Sequence, residues 1–177
     1  MSTPKIFESE YRFCLILWEH EPLPSAELAR LCREKLGWSR TTTYTVIHRL
    51  SERGVVKNEN GIVSSLVSKD DVQASELLRQ AGYGDESCER CVARLVCRFR
   101  ESSEFPHEVG LFLSYPPEDV KGFINHCAGG FKCAGLWKVY GDEEKARSLF
   151  EKYRKCTEIY CTLWQSGLKL EQLAVAV

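Results

Sequence analysis

Apolar positions in the first seventy residues follow helical spacing and then the alternation of short strands. Tyr11, Cys14, Leu15 and Trp18 stand at i, i+3, i+4 and i+7, which predicts one apolar stripe of a helix with Ser9 as its N-cap. Glu21-Pro22-Leu23-Pro24 breaks that helix, because proline has no backbone donor and restrains the residue before it. A second helix starts at Ser25, shares Leu28, Leu31 and Cys32 on its buried face, and ends at Gly37, a residue that accepts the left-handed conformation of helix ends. A third is capped by Ser39, turns Thr43, Val46, Ile47 and Leu50 inward, and stops at Gly54. Val55-Val56-Lys57 and Ile62 to Val67 then flank Asn58-Glu59-Asn60-Gly61, the pattern of a hairpin. Three helices followed by a hairpin is the element order of a winged helix-turn-helix.

Further along, residues 72–80 read as a connecting helix that ends near Gly82-Tyr83-Gly84. In the next helix Cys88, Cys91, Val92, Leu95, Val96 and Phe99 form one apolar stripe, with Arg90, Arg94, Arg98 and Arg100 away from it. That stripe suits either packing within its own domain or a dimer seam. Gly110 to Tyr115 reads as a buried strand, Pro116-Pro117 opens a helix that Gly129-Gly130 ends, and Cys133 to Tyr140 reads as a second strand. Asp142 caps a long helix whose apolar face carries Ala146, Leu149, Tyr153, Cys156, Tyr160 and Leu163. This order predicts a parallel strand pair with a right-handed crossover, and Leu170 to Val177 as a last strand. The expected fold class is therefore α+β: a winged helix-turn-helix over residues 1–70, connecting helices over 71–103, and a small α/β domain over 104–177 in strand-helix-strand-helix order.

Composition narrows the function classes. The chain has 177 residues, 44% hydrophobic and 28% charged, ordinary globular values. No apolar run approaches the roughly 20 residues of a membrane span, and the amino terminus lacks the apolar core of a signal peptide, so a cytoplasmic protein with no membrane partner is expected. Nine cysteines are many, but the odd number and the absence of a secretion signal make reduced thiols the expected state. With 24 basic residues against 25 acidic, no bulk charge attracts nucleic acid, so any DNA binding must be local.

The outward side of the third predicted helix is where such binding would sit. Thr41, Tyr44, Thr45 and His48 share that side, with Arg40 and Arg49 beside them. All can donate hydrogen bonds, and short hydroxyls, an aromatic ring and guanidiniums suit phosphates and base edges. A solvated polar face would account for the same residues, but the hairpin that follows favours DNA: in winged helices the third helix enters the major groove while the hairpin, here with Lys57, lies along the backbone.

The stretch from about Ser9 to Asp71 resembles the penicillinase-repressor family, the BlaI, MecI and CopY type of winged-helix repressor. Ser9-Glu10-Tyr11 through Leu17-Trp18, Gly37-Trp38-Ser39, Thr42-Thr43-Tyr44-Thr45 and Arg49-Leu50 through Gly54 carry the likeness. The resemblance implies a homodimeric repressor on a palindromic double-stranded operator, with Arg40, Thr41, Thr42, Tyr44, Thr45 and Arg49 reading DNA and no cofactor required for that binding. The hairpin departs from the family: Ile62 and Leu66 stand where a basic residue and an aromatic are usual, and Glu59 at the tip would repel a phosphate.

From about Leu77 onward the chain resembles the carboxy-terminal part of an uncharacterised bacterial family known only as a domain of unknown function. Glu104-Phe105-Pro106-His107-Glu108-Val109-Gly110, Tyr115-Pro116-Pro117-Glu118-Asp119-Val120-Lys121-Gly122-Phe123 and Leu136-Trp137-Lys138-Val139-Tyr140 carry that likeness. A headpiece joined to such a domain implies a sensor.

Cys88 and Cys91 have the C-x-x-C spacing of zinc sites and redox pairs, although on an apolar stripe reduced cysteine also serves as a small hydrophobe. Cys97, nine residues on, faces the other way. A second candidate set is His126, Cys127 and Cys133 around the glycine turn, completed by Cys156 or Cys161, which could hold zinc or iron or act as a thiol redox switch. His107 beside Glu108 is better read as structural than as an acid/base pair, for want of a nucleophile at a recognisable spacing. Trp18, Trp137 and Trp164 read as core. No enzymatic activity is expected; the alternative is a thiol- or metal-dependent redox protein or enzyme that uses the winged helix to bind another protein.

Overall fold

The structure is a computed structural model, and it describes residues 4–84, 86–101, 103–127 and 129–173. It is a mixed α/β chain, mostly helical, in two compact units that divide after Glu108. No described helix is long and apolar enough to cross a membrane.

The first unit begins with α1 (Glu8–His20), β1 (Leu23–Pro24), α2 (Ser25–Leu36) and α3 (Arg40–Glu52), followed by β2 (Val56–Glu59) and β3 (Ile62–Ser65). Helix α1 starts two residues earlier than a Ser9 cap would allow, with Phe7 at the cap position and the Glu10 carboxylate accepting the Phe7 backbone N–H at 2.9 Å. Its buried face is Glu10, Phe13, Cys14, Ile16 and Leu17, out of phase with the expected stripe. Leu15 is exposed, while Tyr11 accepts from Gln73 of the following helix α4 (Lys69–Gln80) and the Trp18 indole donates to the Val67 carbonyl. The expected stripe thus mixes the core face with the face turned to α4.

Gly37 ends α2 in the left-handed region at φ 70°, and the Ser39 hydroxyl caps α3 by accepting from the Thr42 N–H at 3.1 Å. Thr43, Val46, Ile47 and Leu50 are all buried, as the spacing predicts. The first hairpin strand runs two residues further toward the turn than expected, so Asn58 and Glu59 pair with Val63 and Ile62. Asn60 and Gly61 alone turn the chain, with φ of 52° and 80°, the positive pair that a two-residue turn between right-twisted strands demands. Leu23-Pro24, expected only to break a helix, also pairs with Val63 and Ile62, giving an antiparallel sheet in the order β1-β3-β2.

The unit continues through α4, capped by Ser68, and α5 (Cys88–Glu101). Only Leu95 of the α5 stripe is buried; Val92, Val96 and Phe99 are exposed.

The second unit contains α6 (Val109–Phe112), α7 (Pro117–His126), β4 (Cys133–Ala134), β5 (Lys138–Val139), α8 (Glu143–Gln165) and α9 (Leu170–Leu173). The expected strand-helix-strand-helix order with a parallel pair does not form. Gly110 to Tyr115 is not a strand: α6 begins at Val109, and the amides of Leu113 and Tyr115 donate back to the Val109 and Gly110 carbonyls at 3.1 and 2.9 Å, while Gly110 passes the side chains of Val120 and Tyr115 too closely for any Cβ. Cys133 to Tyr140 folds back on itself as an antiparallel hairpin, with Cys133 opposite Val139. The expected last strand is helical over Leu170–Leu173, and its end lies outside the described residues. The core of this unit is Trp137, Val139, Ala146 and Phe150. Asp142 caps α8 as expected, but beyond Tyr153 the apolar face of α8 leaves its core, and Tyr160 and Trp164 are exposed. Trp164 is therefore not a core residue in this chain, unlike Trp137.

Candidate nucleic-acid interface

Helix α3 presents the sequence-predicted side chains on one surface because its other side is anchored by four buried residues and its start is fixed by the Ser39 cap. Arg40, Thr41, Thr42, Thr45, His48 and Arg49 are exposed and Tyr44 is half-buried. Their environments differ. Tyr44 joins two elements: its hydroxyl lies 3.4 Å from Ser25 Oγ at the start of α2, and the Arg40 guanidinium sits 5.5 Å from its ring centroid. These contacts, with the Ser25 hydrogen bond first, hold the Tyr44 phenol below its ordinary range. Thr45 spends its hydroxyl proton on the Thr41 carbonyl one turn back, leaving its methyl and the oxygen lone pairs outward.

The far end of the helix is committed elsewhere. Arg49 lies 2.8 Å from the buried carboxylate of Glu10, which also accepts from Arg53 at 2.9 Å. His48 lies 3.5 Å from Glu52, an acid that falls in line with Thr41, Thr45 and His48 at helical spacing. Sequence reasoning missed both relations: Glu10 is 39 residues away from Arg49, and Glu52 lies one turn beyond the segment that carried the pattern. The donor surface free of internal ion pairs is therefore the first two turns, Arg40 to Thr45. On the hairpin, Lys57 Nζ is 2.7 Å from Glu59 Oε1, so an acid stands beside the candidate backbone-binding cation.

A groove between α2 and the start of α3 adjoins this surface, lined in part by Arg30, Arg33, Trp38 and Arg40. Arg30 is forked between Glu27 and Glu34 at 2.6 Å each. Arg33 and Arg40 have no carboxylate partner among the described residues.

The cysteine cluster is not assembled. Among the described residues no group of three or more His, Cys, Asp or Glu side chains is placed to hold a metal. Cys127 ends α7 in the left-handed region and is exposed, His126 stacks on Tyr140 at 5.8 Å, and Cys133 packs beside the Trp137 core. Cys156 and Cys161 are exposed on α8, and five residues turn a helix by about 140° at roughly 100° per residue, so they face apart. The glycine turn therefore does not bring His126, Cys127 and Cys133 together with Cys156 or Cys161 among the described residues.

Two buried carboxylates knit the motifs of the second likeness. Glu108 accepts from the Tyr83 hydroxyl at 3.0 Å and lies 2.9 Å from Arg98, and burial together with that hydrogen bond pushes the Tyr83 phenol up to about 12. Asp119 accepts from the Trp137 indole at 2.7 Å and from the Tyr140 and Gly141 amides at 2.7 and 2.8 Å. Both are saturated by their own chain, which is what burying a charge requires.

Compared with known families, residues 35–174 match the model of a protein family of unknown function, DUF3793. The chain belongs to the DUF3793 family. The DUF3793 match starts inside α2, so it takes in α3 and the hairpin as well as both carboxylate networks. No curated protein matches the chain.

Proposed function

We propose that this protein binds duplex DNA sequence-specifically as a transcriptional regulator, with its first three helices and hairpin acting as a winged helix-turn-helix of the penicillinase-repressor type. The observation that carries the reading is the acid-free donor surface over the first two turns of α3, with Arg40 and Arg33 beside it, neither held by a carboxylate among the described residues. Helix-turn-helix modules read base edges with the amino-terminal part of their recognition helix, and Thr41, Thr42, Tyr44 and Thr45 lie there. Arg40 and Arg33 then meet phosphates, while Arg49 orients the helix through Glu10 and does not read bases. The protein acts as a homodimer on a palindromic site, the exposed Val92, Val96 and Phe99 of α5 supplying the seam and the second unit sensing a signal.

Selection of bound sequences from a random duplex library by the full chain tests this. A palindromic motif is expected, bound in a salt-dependent way, with Thr41→Ala and Arg40→Ala each weakening binding about tenfold, as loss of one good contact does. A library that yields no motif, or variants that bind as the parent does, would overturn the reading.

A further inference from the structure

Cys88 and Cys91 stand apart from the proposed DNA surface and from both carboxylate networks. Cys88 is the first residue of α5 and exposed, and Cys91 follows one turn later, half-buried. Residues three apart on a helix hold their Cβ atoms about 5–6 Å apart, and a disulfide needs about 3.5–4.5 Å. The shortfall of roughly 1–2 Å falls on a helix end, where the local bond to yield is that from the Cys91 N–H to the Ser87 carbonyl, 3.0 Å long.

The other cysteines of the first unit do not compete for this role. Burial pushes the thiols of Cys14 and Cys32 up to about 12 and about 11, which keeps both protonated. Cys97 is nine residues beyond Cys88 and turned about 180° from it.

We infer that Cys88 and Cys91 are a dithiol–disulfide pair that exchanges with a low-molecular-weight disulfide such as oxidised glutathione. Cys88, the more accessible, loses its proton to solvent and attacks one sulfur of the small disulfide; that S–S bond breaks and one small thiolate leaves, taking up a proton. Cys91, whose thiol is held up by burial and then by Glu86 and Cys88, serves as the resolving thiol. It gives up its proton, attacks Cys88 Sγ and expels the second small thiol. Two protein thiols are oxidised to one disulfide, and one small disulfide is reduced to two thiols.

The test uses the full chain equilibrated in buffers of graded reduced-to-oxidised glutathione, quenched by alkylation and mapped by peptide mass spectrometry. Loss of two hydrogen masses across Cys88 and Cys91, joint protection of both from alkylation, and reversal by dithiothreitol are expected. In Cys91→Ser a glutathione adduct accumulates on Cys88, whereas Cys97→Ser behaves as the parent. Alkylation of both residues throughout the series, a lasting adduct on Cys88 in the parent, or a bridge from either residue to a different cysteine would each overturn the inference.

Discussion

Glu10 of α1, fully buried, holds Arg49 of α3 at 2.8 Å, so a residue on the exposed side of one helix is tied to a charge in the core beneath another. Arg53 and the Phe7 amide complete the shell. Arg49 is half-exposed, Arg53 is largely covered, and the carboxylate has no contact with water. Removing one partner of a buried pair leaves the other charge stranded, which costs more than the pair itself contributes.

Glu10→Ala is accordingly expected to lower stability by about 3 kcal/mol. Arg49→Ala costs less, about 1 kcal/mol, because solvent screens its exposed half and Arg53 still neutralises Glu10. Urea denaturation of both variants measures the difference; equal losses would show that Arg49 is the dominant partner.

Acid acts through the same group. Burial pushes the Glu10 carboxyl up, but the Phe7 amide, Arg53 and Arg49 outweigh it and hold the folded value below the ordinary one. A group with a depressed folded value contributes stability above its unfolded value, about 4.3 for glutamate, and loses it as pH falls through the folded value. The parent therefore loses stability as pH drops below about 4.3, and Glu10→Gln, less stable at neutral pH, shows a flatter acid limb in thermal melts taken from pH 7 downward.

In the second unit, Asp119→Ala strands three donors, the Trp137 indole and the amides of Tyr140 and Gly141. Each unpaired buried group costs about 1–3 kcal/mol, so this unit is expected to lose its near-ultraviolet tryptophan signal. Hydrogen exchange in α1 to α3 stays as in the parent.

Gly122→Ala disturbs the same region by a different route, since a Cβ there would overlap the ring of Tyr140. A loss of about 1–3 kcal/mol is expected from such overpacking, readable as a lower thermal midpoint, and Tyr140→Ala in the same chain recovers part of it.

For the proposed DNA reading, Glu59→Lys removes the partner of Lys57 and adds a charge at the hairpin tip. Binding tightens and the slope of log affinity against log salt steepens by about 1–2, near 0.9 per phosphate neutralised. An unchanged slope in filter-binding assays means that the hairpin does not touch the backbone.

Local signals carried much of this fold. The Ser39 cap, the Gly37 stop, the Asn60-Gly61 turn and the period of Thr43, Val46, Ile47 and Leu50 were all legible, because each depends on residues within a turn or two of one another. The phase of α1 was not: its core face contains Glu10, and an acid does not register as apolar until two arginines from another helix are beside it. Gly110 to Tyr115 is not legible for a related reason: an apolar run of that length suits a strand or a short helix, and here its amides bond back along the segment and not to a neighbouring strand.

The sequence by itself determined where helices start and stop, which residues turn the hairpin, and that the early turns of α3 present hydroxyls and a guanidinium without an acid. Tertiary structure alone decided that Arg49 is committed, because folding brings it to Glu10 of another helix. Capping and periodicity act over a few residues, whereas the partner of a charge is whatever folding brings within about 4 Å.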